Sequence, residues 1–242
     1  IVNGREAKPH SRPYMVSIQI SGQHDCGGFL ISDQWVLTAA HCWNRYAILT
    51  VVVGAHDLSN IKILDRIRVK FYIPHPGYLI SSLRNDIMLL MVNIILLVTT
   101  IIQYLVRKQI LNNILYDFLL QFLDSKDVNV DTLCSVAGWG RLWTNGSLSD
   151  RLMEAYVTTL NHVQCQRKWG PSYSALQMIC AYGGGGSCKG DSGGPLVCGD
   201  TAVGVTSFGS KLCCNSPEHP NVYTKISAYL PWIHHILRNV KK

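Results

Sequence analysis

The sequence predicts an all-β protein, and three observations carry that reading. Short apolar runs close on turns, as Val51-Val52-Val53 does on Gly54. Apolar residues alternate with polar ones: Ile67, Val69 and Phe71 interleave with Arg66, Arg68 and Lys70, the period of a strand with one buried face. Turn chemistry recurs between such runs, in Pro74-His75-Pro76-Gly77 and Asn145-Gly146. Many short strands with frequent turns point to a sandwich or a barrel.

Further along the chain, Val203 and Val205 alternate with Gly204 and Thr206, which predicts another strand. At the carboxyl end Leu230, Ile233 and Leu237 share one helical face, and Pro231 suits a first turn. No internal repeat or long linker is present. The 242 residues suit one large domain or two lobes sharing a core. One stretch departs from the pattern. Residues 87–106 carry no charge and by length and hydropathy are a transmembrane candidate, and the chain stays rich in Leu, Ile, Asn and Tyr to Phe122.

Composition narrows the function classes. With 48% hydrophobic and 15% charged residues, a disordered chain is excluded. The net charge of +7 favours acidic partners such as a sulfated proteoglycan. Nothing gathers that charge into a nucleic-acid motif. The nine cysteines contain no CxxC pair and do not read as a zinc site, so no metal is expected. They indicate an oxidising compartment, with up to four bridges and one thiol left over. The start at Ile1-Val2-Asn3-Gly4, without an initiator Met, reads as a processed amino terminus.

The strongest chemical signal is Gly190-Asp191-Ser192-Gly193-Gly194-Pro195. Glycines around a serine allow a tight turn that exposes the hydroxyl and converges backbone N–H groups. The hydroxyl needs a base, and the base an orienting carboxylate. His41, in Leu37-Thr38-Ala39-Ala40-His41-Cys42, stands among small residues beside a cysteine. By itself it reads as a structural histidine at a disulfide, and the serine motif reverses that reading. Asp86 heads an apolar run, where an acid must be solvated, capped or paired. Spacing alone does not choose it over Asp57 or Asp65.

These pieces, with Val136-Ala137-Gly138-Trp139-Gly140, Val222-Tyr223-Thr224-Lys225 and Trp232-Ile233, occur in the order in which the trypsin/chymotrypsin family of serine peptidases carries them. The chain resembles that family along nearly its whole length. Pro9 to Val16 and Gly204 to Gly209 look like the granzyme A and K group. The resemblance implies two six-stranded antiparallel Greek-key β-barrels packed face to face, with a carboxyl-terminal helix. The barrels would span about residues 14–90 and 133–229, and the helix about 230–240. It implies Ser192 as nucleophile, His41 as base and then acid, Asp86 as its partner, and the N–H groups of Gly190 and Ser192 as oxyanion hole. It implies an ion pair between the Ile1 α-amino group and Asp191. The implied bridges are Cys26–Cys42, Cys134–Cys198, Cys165–Cys180 and Cys188–Cys214, with Cys213 spare or exchanging places with Cys214. No cofactor is implied. Partners are peptide substrates and protein inhibitors, and the place is extracellular or a cytolytic-cell granule.

Two departures stand out. Trypsin-like relatives carry an aspartate six residues before the nucleophile, and here Gly186 stands there, followed by Ser187. The resemblance implies that Asn221 faces the same pocket. Without an anion the pocket favours a neutral substrate residue, unless an acid elsewhere serves through a flexible loop at Gly183 to Gly186. Ser207, Phe208 and Gly209 would pair with the substrate backbone. The second departure is the apolar segment at about residues 91–122, where almost nothing matches the family. It reads as a membrane span, as an insertion packed on the barrel, or as an intron translated in frame. Its Ile, Leu, Asn and Tyr, as AT-rich codons give, favour the last, with a product that does not fold as one consequence. A binding protein on an impaired protease scaffold is the remaining rival. Asn145-Gly146-Ser147 is an N-glycosylation sequon.

Overall fold

The computed structural model describes residues 1–92, 123 and 127–240. A short strand, β1 (Arg5–Glu6), precedes a closed antiparallel barrel. That barrel contains β2 (Met15–Ile20), β3 (Gln23–Leu30), β4 (Trp35–Thr38), β5 (Leu49–Val53), β6 (Ile67–Pro74) and β7 (Met88–Val92). Its strand order is β2-β3-β4-β7-β6-β5. The second barrel contains β8 (Leu133–Gly138), β9 (Met153–Thr159), β10 (Met178–Tyr182), β11 (Pro195–Cys198), β12 (Thr201–Phe208) and β13 (Asn221–Lys225). Its order is β9-β10-β13-β12-β11-β8, closed by β8 pairing on β9. β1 joins this second sheet, with Arg5 opposite Glu154. The chain therefore begins against the second barrel before building the first.

Two helices complete the described residues, α1 (His162–Trp169) and α2 (Leu230–Asn239). Asn161 caps α1 by accepting the Val163 N–H at 2.8 Å. The predicted carboxyl-terminal helix is α2: Leu230, Ile233 and Leu237 are buried and Pro231 sits in the first turn. These residues join one buried cluster with Ile87, Leu89 and Trp35 of the first barrel. Full burial of side chains of this size contributes about 1.5–3 kcal/mol each.

The strand alternation fails in two places, both at bulges. Ile67 and Val69 are buried, but Phe71 is 55% exposed, because the β6–β7 register shifts between Val69 and Phe71. One inserted residue moves all that follow to the other face. Val203 is only half-buried, because Leu196 pairs with Gly204 and Val197 with Ala202, which leaves it as the extra residue. The sequence disfavours a membrane span beginning at residue 87, and the described residues there lie in a strand of the first barrel. Met88, Leu89, Leu90 and Val92 are fully buried in β7, paired with β4 and β6. The expectations for residues 93–122 lie outside the described residues. Among the described residues no helix is long and apolar enough to cross a membrane.

The sulfurs join Cys26 to Cys42, Cys134 to Cys198, Cys165 to Cys180 and Cys188 to Cys214, and Cys213 is exposed and free. The bridge from Cys26 clips β3 to the turn that carries His41. The bridge from Cys188 ties the loop before Ser192 to the loop that carries Asn215.

Candidate active site

His41 sits on a single 3-10 turn, Ala40–Cys42, directly after β4. Ala39 and Ala40 are buried, so small side chains let this turn lie close to the barrel. Asp86, at the entry to β7, is fully buried. Its Oδ1 accepts the His41 backbone N–H at 2.9 Å, and its Oδ2 lies 2.7 Å from His41 Nδ1. The Ser207 hydroxyl of β12 donates to the same Oδ2, and Thr224 Oγ1 of β13 donates to the Asp86 carbonyl at 2.9 Å. The His41 turn of the first barrel and β12 of the second thus hold one carboxylate, and these donors offset the cost of burying its charge. Of the three acids that spacing left open, Asp86 is the one bonded to His41. Asp57 instead caps the turn Leu58–Asn60, and Asp65 accepts the Lys62 N–H at 2.8 Å.

Nδ1–H donation to Asp86 leaves Nε2 as the nitrogen able to take a proton. Burial pushes the His41 imidazole pKa down, and the hydrogen bond and charge of Asp86 outweigh it, leaving the value raised. No hydrogen bond joins His41 to Ser192 among the described residues. Such contacts are often long before substrate binds.

Ser192 projects from a loop fixed by its own backbone. Gly193 has φ of +81°, and a side chain there would lie 2.1 Å from Thr38 Oγ1 and 2.4 Å from the Gly27 carbonyl. Only glycine allows the nucleophile loop to approach the first barrel so closely. Two peptide units on either side of Asp191 are turned by their carbonyls. The Lys189 carbonyl accepts the Arg141 N–H at 2.8 Å, so the Gly190 N–H of the same trans peptide points the opposite way. The Asp191 carbonyl accepts the Gly194 N–H at 3.1 Å, which turns the Ser192 N–H likewise. Neither the Gly190 nor the Ser192 N–H donates to any acceptor among the described residues.

The Ile1 ammonium donates to Asp191 Oδ2 at 2.7 Å and to the Arg141 carbonyl at 3.1 Å. Both Ile1 and Asp191 are buried. Asp191 also accepts N–H bonds from Gly140 at 2.8 Å and Cys188 at 2.9 Å. The Ile1 ammonium is thus tied to the loop that carries Ser192.

A cavity of about 390 Å³ opens from Ser192 down to Ser187 and Asn221, walled by Thr206 to Gly209 and the Cys188–Cys214 bridge. Among the described residues lining it none is acidic, and Arg141, Lys189 and Lys211 stand on its rim. Phe208 packs edge-on against Trp169 with ring centres 5.0 Å apart. Ligand atoms of Cys26, His41 and Cys42 lie within 4.8 Å of one another, but both sulfurs are in a disulfide and offer no thiolate to a metal. Asn145 is exposed at the tip of a turn closed by the Gly146 N–H on the Trp143 carbonyl at 2.9 Å.

Three roles escaped the sequence. Ser207 holds Asp86 through its hydroxyl. Half-buried His24 bridges Ser17 Oγ at 2.8 Å and the Gly190 carbonyl at 2.9 Å, with its imidazole pKa pushed down by desolvation. Asn215 sets its Oδ1 against Gly186 from a separate loop.

The family profile described as Trypsin matches residues 1–233. Serine protease 57 of Homo sapiens is 37% identical over 245 residues, covering 98% of this chain and 81% of that protein. Granzyme H of Homo sapiens is 39% identical over 248 residues, covering 99% of this chain and 92% of that one. Among solved structures, neuropsin, a serine protease expressed in the limbic system of mouse brain, superposes with a TM-score of 0.81 at 32% identity, covering 98% of this chain and all of that one.

Proposed function

This chain belongs to the trypsin family and is a serine endopeptidase, and from that premise we propose that His41, Asp86 and Ser192 carry its chemistry, with a neutral primary pocket. Ser192 Oγ attacks the scissile carbonyl while His41 Nε2 takes its proton. Asp86 stabilises the resulting imidazolium. The tetrahedral oxyanion takes the free N–H groups of Gly190 and Ser192. His41 then protonates the leaving amine, and water releases the acyl group by the same steps in reverse. The observation that carries this reading is Asp86 holding both the backbone and the ring of His41.

Ser207, Phe208 and Gly209 border the cavity and would receive the substrate backbone as an added strand. The side chain before the scissile bond would enter towards Gly186, Ser187 and Asn221, where a buried cation meets no fixed anion. The unpartnered charge costs several kcal/mol, about 10²-fold or more in rate. The net charge of +7 fits storage with acidic proteoglycan, in an extracellular or granule setting of the granzyme kind, with protein inhibitors as further partners. The test is a panel of quenched peptides differing only in the residue before the scissile bond. Neutral residues should exceed Lys and Arg in kcat/KM by at least about 10²-fold. Equal or faster cleavage after Lys or Arg overturns the neutral pocket.

A further inference from the structure

We infer that Asn145 carries an N-linked oligosaccharide that stands at the mouth of the primary cavity and admits extended peptides while hindering folded proteins. The modification rests on the residues around Asn145, and its effect on substrates rests on the endopeptidase reading above. Asn145-Gly146-Ser147 is the one Asn-X-Ser/Thr triplet in the chain. Asn145 and Ser147 are both exposed. The Asn145 side chain makes no hydrogen bond among the described residues, so a sugar on Nδ2 displaces none. The four disulfides fit folding in an oxidising compartment, where such sugars are attached.

The turn that bears Asn145 is anchored. Arg141 pairs with Leu148 across a short hairpin, the Leu142 N–H donates to the Ser147 carbonyl at 3.0 Å, and the Gly146 N–H donates to the Trp143 carbonyl at 2.9 Å. Asn145 takes a φ of +60°, which asparagine tolerates better than most residues. Thr144 Oγ1 accepts the Cys214 N–H at 3.0 Å, which fastens the tip to the loop held by the Cys188–Cys214 bridge. Trp143 packs so closely over Gly146 that a methyl group there would strike its ring, yet Trp143 stays 57% exposed. The indole thus offers an apolar face beside Asn145 on which the C–H bonds of a first sugar pack.

Attachment joins Asn145 Nδ2 to the anomeric carbon of an oligosaccharide. The bond from that carbon to a lipid diphosphate donor breaks, the lipid diphosphate leaves with the electron pair, and the amide gives up one proton. The consequence for substrates follows from position. Thr144 and Asn145 line the same cavity as Ser192 and Asn221. An oligosaccharide is bulkier than any side chain on that rim, and here it sits on an anchored hairpin. A peptide enters as one extended strand on Ser207, Phe208 and Gly209, whereas a folded protein brings a broad surface over the rim.

Three measurements test this on protein secreted from a eukaryotic cell. Intact mass and peptide mapping before and after peptide N-glycosidase F should show loss of an oligosaccharide and conversion of Asn145 to aspartate. An unmodified Asn145 overturns the inference. The second compares native protein with Ser147→Ala, which abolishes the triplet and keeps the backbone bond from Leu142. Cys213 is free and exposed, with Sγ 3.9 Å from Thr144 Oγ1, so its labelling reads shielding without turnover. The rate with a polymer-linked maleimide relative to a small maleimide should rise at least about threefold in the variant. An unchanged ratio overturns the shield. The third presents one cleavage sequence as a free peptide and as a loop of a small folded protein. The folded-to-peptide ratio of kcat/KM should rise at least about fivefold in the variant. Native protein stripped by the glycosidase should match the variant in both ratios, which keeps the test intact whether or not the variant folds. Turnover with the folded-to-peptide ratio unmoved overturns the exclusion of folded proteins. No turnover at all, with the maleimide ratio shifted, sustains the shield and overturns the endopeptidase reading.

Discussion

Replacing Asp86 with asparagine lowers kcat by about 10⁴-fold at neutral pH. The size of the loss follows from the hydrogen bonds around this side chain. Asparagine can still accept the His41 backbone N–H through Oδ1. Its NH₂ group then stands where Oδ2 met His41 Nδ1 and the Ser207 hydroxyl. A donor facing Nδ1 forces the ring proton onto Nε2, the nitrogen that must accept the Ser192 proton. The negative charge that would stabilise the imidazolium is lost as well. The pH profile separates this from simple disruption. In the native protein the raised His41 pKa places the acidic limb of kcat/KM above the ordinary imidazole value of about 6.5. Activity falls as pH drops through that raised value, because the base becomes protonated. The stability term runs the other way: protonated His41 contributes fully below its ordinary pKa, and the contribution is lost as pH rises through the raised one. In Asp86→Asn the limb should move to lower pH as the rate collapses. Steady-state kinetics between pH 5 and pH 9 check both, and a native-like rate at pH 8 would contradict the role given to Asp86.

Asp191→Asn lowers kcat/KM by about 10²–10³-fold, with most of the fold retained. Removing one partner of a buried pair costs about 3–5 kcal/mol, because the other charge remains buried. The Ile1 ammonium would leave its pocket rather than stay unpaired. Asparagine also cannot keep every N–H bond that Asp191 accepts from Gly140 and Cys188. The loop that turns the Gly190 and Ser192 N–H groups would lose its anchor. Two measurements read this outcome. One is kcat/KM on a neutral peptide, and the other is the acetylation rate of the Ile1 amine, slow in native protein and fast in the variant. Retained activity with an accessible Ile1 amine would show that the ion pair does not position Ser192.

Local chemistry was the legible part of this molecule. The glycines around Ser192 and the small residues before His41 announce their geometry within six positions. Pro231 with Leu230, Ile233 and Leu237 likewise specifies a helix from one stretch of chain. What depends on partners distant in sequence was not legible. Spacing does not distinguish Asp86 from Asp57 or Asp65, and only the family resemblance singles it out, because its donors come from His41 and Ser207. Phe71 follows the pattern of a buried residue and is exposed, since a bulge depends on the pairing of two strands. The absence of an acid at Gly186 was visible, but not Asn215, which reaches Gly186 from another loop. His24 gave no signal either, since its partners Ser17 and Gly190 meet only in the folded protein.

The central claim is that Ser192 is an activated nucleophile, and the direct measurement is covalent labelling of the purified native protein with a fluorophosphonate, followed by peptide mapping. A single adduct on Ser192, abolished in His41→Ala, is the predicted result, because an unactivated serine reacts negligibly. A folded protein with Ile1 protected and no adduct, or an adduct that persists without His41, would contradict it.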